Sequence, residues 1–216
     1  MNDKRSHHFI RNVWAREHRR PFLWILLTTI LFQIFQSGSA SLFGMEQAQT
    51  MDLQMLGFSP EQPGRLVFLP WLFSWSVHLG WEHLLVNLAA FAIFYLLTAR
   101  NLSTKTWWFL VLFFQISTKL IFFLVTLISH QLDISPLGSP NLYLGLSGIC
   151  FSLLGFFSRG PNSYLRWMAV IAVLIELTQI ISSHPAGLAG YSHLIAMAVG
   201  FTAARSKSFS SLLSKR

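Results

Sequence analysis

The sequence predicts an all-α, polytopic membrane protein: a bundle of six transmembrane helices with a long membrane-associated loop between helices 1 and 2. Three observations predict it. Of the 216 residues, 53% are hydrophobic and 11% charged, with 20 Phe and 8 Trp, whereas a soluble domain keeps about a quarter of its residues charged. Six apolar stretches alternate with polar connections that carry Gly, Pro or basic residues. If both termini are cytoplasmic, 14 of the 16 Lys and Arg fall in cytoplasmic segments, Arg65 and Lys119 being the exceptions, while Glu46, Asp52, Glu61 and Asp133 lie in loops on the other side. This is the positive-inside bias of membrane proteins. The net charge of +8 is therefore a membrane-topology signal, and no nucleic-acid partner is expected. The single cysteine, Cys150, excludes an internal disulfide framework.

In chain order, residues 1–20 form a basic cytoplasmic tail with Lys4, Arg5, Arg11, Arg16, Arg19 and Arg20, and PFLWILLTTILFQIF begins the first span at Pro21. A cleaved signal peptide shares that layout, and Gly38-Ser39-Ala40 is the best cleavage site for it; an uncleaved anchor is the expected reading. Residues 38–81 hold Pro60, Pro63 and Gly64, then the Trp-rich FLPWLFSWSVHLGW, which suits a segment lying at the lipid–water interface. A second span is expected at about 82–99, a third from Trp107 to about Ser129, and a turn-forming loop at 130–140. The fourth is YLGLSGICFSLLGFF at 143–157, the fifth covers about 167–182 and the sixth about 193–204. The membrane domain is thus 21–205, followed by a second basic tail at 206–216.

Length gives the fourth and sixth spans a special place. At roughly 15 and 12 residues they reach roughly 22 and 18 Å, against a hydrocarbon core of about 30 Å. Arg159 and Arg205 fix their cytoplasmic ends, so the shortfall lies at the outer ends, where Ser147 and His193 sit. Irregular backbone and polar groups at that depth require shielding by protein or a water-filled cavity, which predicts a recessed aqueous pocket. Spans two, four and six run in one direction under this topology, so their first turns bring His83 and Asn87, Ser147 and His193 to one level.

Those residue types suit nucleophilic acyl transfer. A serine hydroxyl needs a base to take its proton, and His193 is the histidine at the right level. The start of a helix offers free backbone N–H groups and the positive end of the dipole, and with His83 and Asn87 these donors suit the oxyanion of a tetrahedral intermediate. Gly145 and Gly148 leave room for close packing. Phe151, four residues after Ser147 on the same helical face, is placed to stack on the imidazole. Lys119 and Glu176 lie deep in the third and fifth spans; an unpaired charge there is costly, so either the two pair with each other or Lys119 reaches Gln115 and water, with an ion or proton path as the transporter alternative.

The residues Gly145-Leu146-Ser147-Gly148 with Gly155, HLGWEHLLVN with His78, His83 and Asn87, and His193 with Gly200 resemble the rhomboid intramembrane serine proteases, in the right order over the six-span core of about 21–205. The resemblance implies a six-transmembrane-helix rhomboid-like bundle and a Ser147–His193 catalytic dyad with no acidic third member. It implies an oxyanion hole of His83, Asn87 and the Ser147 N–H, with His78, Phe151, Gly145, Gly148 and Gly200 supporting the site. Membrane-anchored protein substrates, single-pass or C-terminally anchored, reach it past the fifth span and the loop near His184. No cofactor or metal is implied. The short tails, together with Trp81 to Asn87, are compatible with a rhombosortase-like subfamily in a bacterial inner membrane. A catalytically inactive, derlin-like client-binding protein is the alternative.

Overall fold

In the computed structural model, residues 16–43, 74–78, 80–98, 102–132, 145–160, 163–182, 188–206 and 209 are described. Among them the regular elements are helical: α1 (Arg16–Phe43), a 3₁₀ turn (Ser74–Ser76), α2 (Trp81–Thr98), α3 (Thr104–Gln131), α4 (Ser147–Ser158), α5 (Ser163–Ser182) and α6 (Leu188–Ala203). Six helices in the expected order make the all-α bundle that the apolar stretches predict. Most of the 38–81 connection, the 133–144 loop, the loop with His184, and nearly all of both tails lie outside the described residues.

Helix ends follow local chemistry more than hydropathy. α1 begins within the basic segment at Arg16 and continues past Gly38 to Phe43, eight residues beyond the apolar run that ends at Phe35. Small residues after Gly38 do not break it, and the Ser41 hydroxyl donates back to the Ser37 carbonyl at 3.0 Å. α3 starts before its Trp pair because Ser103 caps it, its Oγ accepting from the Thr106 N–H at 3.2 Å. α4 is shorter than expected, with 12 residues or about 18 Å. α6 is longer than expected, with 16 residues, so His193 sits in its second turn rather than its first.

α4 is the axis of the bundle. Each of its residues is buried apart from Phe151, which is half-buried, and it touches α2, α3, α5, α6 and the 3₁₀ turn. Its most extensive partner is α6, and two glycines set that crossing. A Cβ at Gly155 would strike the Met197 carbonyl, and one at Gly200 would strike the Ser152 carbonyl. The two backbones therefore approach as only small residues permit. On its other side, Ser152 shares a 3.0 Å hydrogen bond with Thr118 of α3 in the buried interface.

α1 packs on α2 and α3, and on the α2 side its Phe22 stacks on Phe91 at 6.1 Å and 5°. The surface of the bundle is apolar. Trp24 and Phe35 of α1, Leu85 and Val86 of α2, and Trp167, Leu174 and Ile181 of α5 are all more than half exposed. A continuous greasy exterior of this kind belongs in lipid rather than water. By length and composition, Thr104–Val125 and Ser163–Ser182 suffice to cross a bilayer, whereas Phe22–Gly38, Trp81–Leu96 and Ser147–Ser158 are shorter apolar helices.

Candidate active site

The chain entering α2 builds the first wall of the site. Ser74–Ser76 form the buried 3₁₀ turn, Gly80 takes φ +132°, and the carbonyl of Gly80 accepts from the Leu84 N–H at 3.1 Å as α2 begins. This leaves His78 buried at 0% exposure between two backbone partners. Its Nδ1–H donates to the Ser76 carbonyl at 3.2 Å, and its Nε2 accepts from the Leu146 N–H at 3.4 Å. Only the neutral ring with the proton on Nδ1 makes both bonds. Burial pulls its pKa down to about 4; the Ser76 carbonyl opposes that and the nearby His83 reinforces it.

The second wall is the turn into α4. Gly145 N–H donates to the Ser74 carbonyl at 2.9 Å, so this bond and the His78–Leu146 bond fasten the α4 entrance to the 3₁₀ turn. Gly145 has φ +86°, and a Cβ there would lie 3.3 Å from Asn87 Nδ2 and 3.4 Å from the His78 ring. Glycine is needed on both counts. Leu146 is the N-cap and provides no side-chain cap, so the first N–H groups of α4, that of Ser147 among them, form the open positive end of a helix. Ser147 is 6% exposed, and Gly148 is buried next to it.

Asn87 comes up from α2 beside this turn. Its backbone carbonyl receives the Cys150 thiol at 3.9 Å, while its side-chain Nδ2 is buried with no hydrogen-bond partner. A buried donor without an acceptor is expensive, and this one lies next to Gly145, two residues before the serine. His83, one turn earlier on α2, sits edge-on to His78 at 5.2 Å and within electrostatic range of His193.

α6 supplies the third wall. The His193 imidazole lies flat on the Phe151 ring, 4.2 Å between centroids and 7° between planes. Its Nδ1 hydrogen-bonds Glu176 Oε1 at 2.9 Å. Of the arrangements open to Glu176 the structure shows pairing with His193 rather than with Lys119, which gives the histidine an acidic neighbour where the resemblance implies none. The signal was in the hairpin. Glu176 lies six residues before the end of α5 and His193 five after the start of α6, so antiparallel packing brings them to one depth.

The structure thus gathers Gly145, His78 and Asn87 into one set of contacts at the turn leading into Ser147 and Phe151, His193 and Glu176 into another, joined by the single turn of α4 from Ser147 to Phe151. The Ser147 hydroxyl makes no hydrogen bond to His193 among the described residues. Gly200, two turns below His193, acts at the α4–α6 crossing. Cys150 is buried on α4.

Comparison with known proteins agrees with this architecture. No curated protein matches the chain. Residues 60–208 match the family model for the Rhomboid domain, a segment that runs from the connection before the 3₁₀ turn through α6 and carries every residue of the two contact sets. With most of its length matched, the chain belongs to the rhomboid family of integral membrane proteins.

Proposed function

We propose that the chain is an intramembrane serine endopeptidase that cleaves membrane-anchored proteins in or near their transmembrane segments. The observation that carries this reading is the convergence at the open end of the shortest helix. There the orphaned Asn87 amide lies beside the turn that leads into Ser147, and one helical turn further along α4 a histidine is held on two sides, by Phe151 and Glu176.

In the mechanism, His193 Nε2 takes the Ser147 proton as Oγ bonds to the scissile carbonyl carbon. Asn87 Nδ2, His83 and the Ser147 N–H receive the oxyanion. His193 then gives its proton to the departing amine nitrogen as the C–N bond breaks, and water releases the acyl group by the same steps in reverse. His78 does not touch the reacting atoms; it holds the turn that aims Ser147. Apo serine–histidine pairs are often long and tighten only on substrate, which accommodates the missing hydroxyl bond.

The charge pattern supports cytoplasmic termini and a site open to the opposite face of the membrane, which we assign to a bacterial inner membrane. An apolar groove of about 540 Å³ between α5 and α6, lined by Val170, Leu174, Leu194 and Phe201 among others, suits an approaching transmembrane segment. The family match admits a second reading, a derlin-like protein that binds membrane clients without cleaving them. Reconstituted protein with a fluorescent single-pass reporter separates the two: the protease reading requires a cleaved fragment that Ser147→Ala abolishes, and reporter binding without any fragment supports the binder.

A further inference from the structure

We propose that Glu176 is the positioning residue of a Ser147–His193–Glu176 triad, its acidic member supplied by α5. The proposal rests on the reading of Ser147 as nucleophile and His193 as base.

The bond from His193 Nδ1 to Glu176 Oε1 is 2.9 Å. An ionised carboxylate only accepts, so the proton of the neutral imidazole is held on Nδ1 and the Nε2 lone pair is left for the Ser147 proton. When that proton moves, the imidazolium forms beside a buried negative charge. The Nδ1 proton stays on the ring, and Glu176 orients it without taking it. Phe151 adds the second constraint, fixing the ring plane at 4.2 Å and 7°. One contact sets which nitrogen carries the proton and the other sets where the free nitrogen points.

The packing of α5 and α6 leaves a place for the Glu176 side chain. The buried residues of α5 are Leu165, Ala169 and Glu176, so the one charged group on that stripe is the one facing His193. Gly190 of α6 clears its place: a Cβ there would lie 3.2 Å from Glu176 Oε2 and 2.9 Å from Ile180 Cγ1. Oε2 itself is buried with no hydrogen-bond partner. A residue present only to fasten α5 to α6 is poorly served by a half-satisfied buried charge, which apolar groups of similar volume often replace without loss of stability. Because Glu176 rides on α5, docking of α5 is a condition for the correct tautomer of the base.

The test uses the full chain in detergent, comparing the native protein with Glu176→Gln and Glu176→Asp. Three quantities are read: the rate of fluorophosphonate labelling at Ser147, the unfolding temperature, and the ¹⁵N shifts of the His193 ring. The expected result for Glu176→Gln is a labelling rate lower by roughly 10²–10⁴-fold, an unfolding temperature within a few degrees of native, and loss of the pure Nδ1–H signature. Glu176→Asp, which keeps the charge, recovers part of the rate. Native labelling by Glu176→Gln, or a rate loss accompanied by unfolding while the ring keeps its Nδ1–H signature, overturns the proposal. A native chain that fails to label overturns the protease reading instead, and the ring shifts still decide whether Glu176 sets the tautomer.

Discussion

Replacing Gly200 by alanine adds one methyl group at the tightest place in the bundle. The new Cβ would meet the Ser152 carbonyl, the carbonyl carbon at 2.8 Å and the Phe156 N at 2.9 Å, below any separation that carbon tolerates. All three obstacles are backbone atoms of α4, so no side chain can swing away and the helices must part. Overpacking of this kind costs about 1–3 kcal/mol. The displacement reaches the chemistry because α6 carries His193 and α4 carries Ser147, and a shift of about 1 Å between reacting groups costs about 10²-fold in rate. Thermal unfolding in detergent and the rate of fluorophosphonate labelling are the two assays. Gly38→Ala is the control: nothing lies within 4 Å of its Cβ position, and alanine in a helix gains about 0.5–1 kcal/mol over glycine. An unfolding temperature and labelling rate for Gly200→Ala equal to native would refute the glycine-set crossing.

Asn87→Ala is expected to lower the labelling and cleavage rates by about 10²–10³-fold, as for loss of one oxyanion donor. It should leave stability within about 1 kcal/mol, because the side-chain donor it removes is already unsatisfied in the resting protein; circular dichroism melts alongside the rates check both halves. His78 gives a pH signature. Its pKa falls from 6.5 to about 4 on folding, so the unfolded chain binds the extra proton first and stability drops as pH falls through that window, by roughly 3 kcal/mol from this residue. Melting curves between pH 7 and 4 should therefore be flatter for His78→Gln than for the native chain, and parallel curves would contradict the buried neutral ring.

The existence and order of the helices were legible because each has an apolar run bounded by charge or by Gly and Pro. Their ends were less so. Gly190, Tyr191 and Ser192 read as a continuation of the loop before His193, yet they are helical, since packing against α5 outweighs the poor local propensity of glycine. The serine and its neighbours were legible for a different reason. Ser147 to Phe151 is one helical turn, so a ring on the same face as the nucleophile follows from spacing alone. Glu176 was not legible as a partner of His193 because nearness between helices depends on which face α5 turns inward, and only three buried positions define that face. Counting residues outward from the α5–α6 connection matches the depth of the two residues but not the face.

The most direct test of the central claim is the site of fluorophosphonate modification in the native chain, read by mass spectrometry of the intact protein and its peptides. The account predicts one adduct, on Ser147, that is absent from Ser147→Ala and strongly diminished in His193→Ala. Equal labelling of Ser147→Ala, or an adduct on any other residue of the native chain, would contradict it.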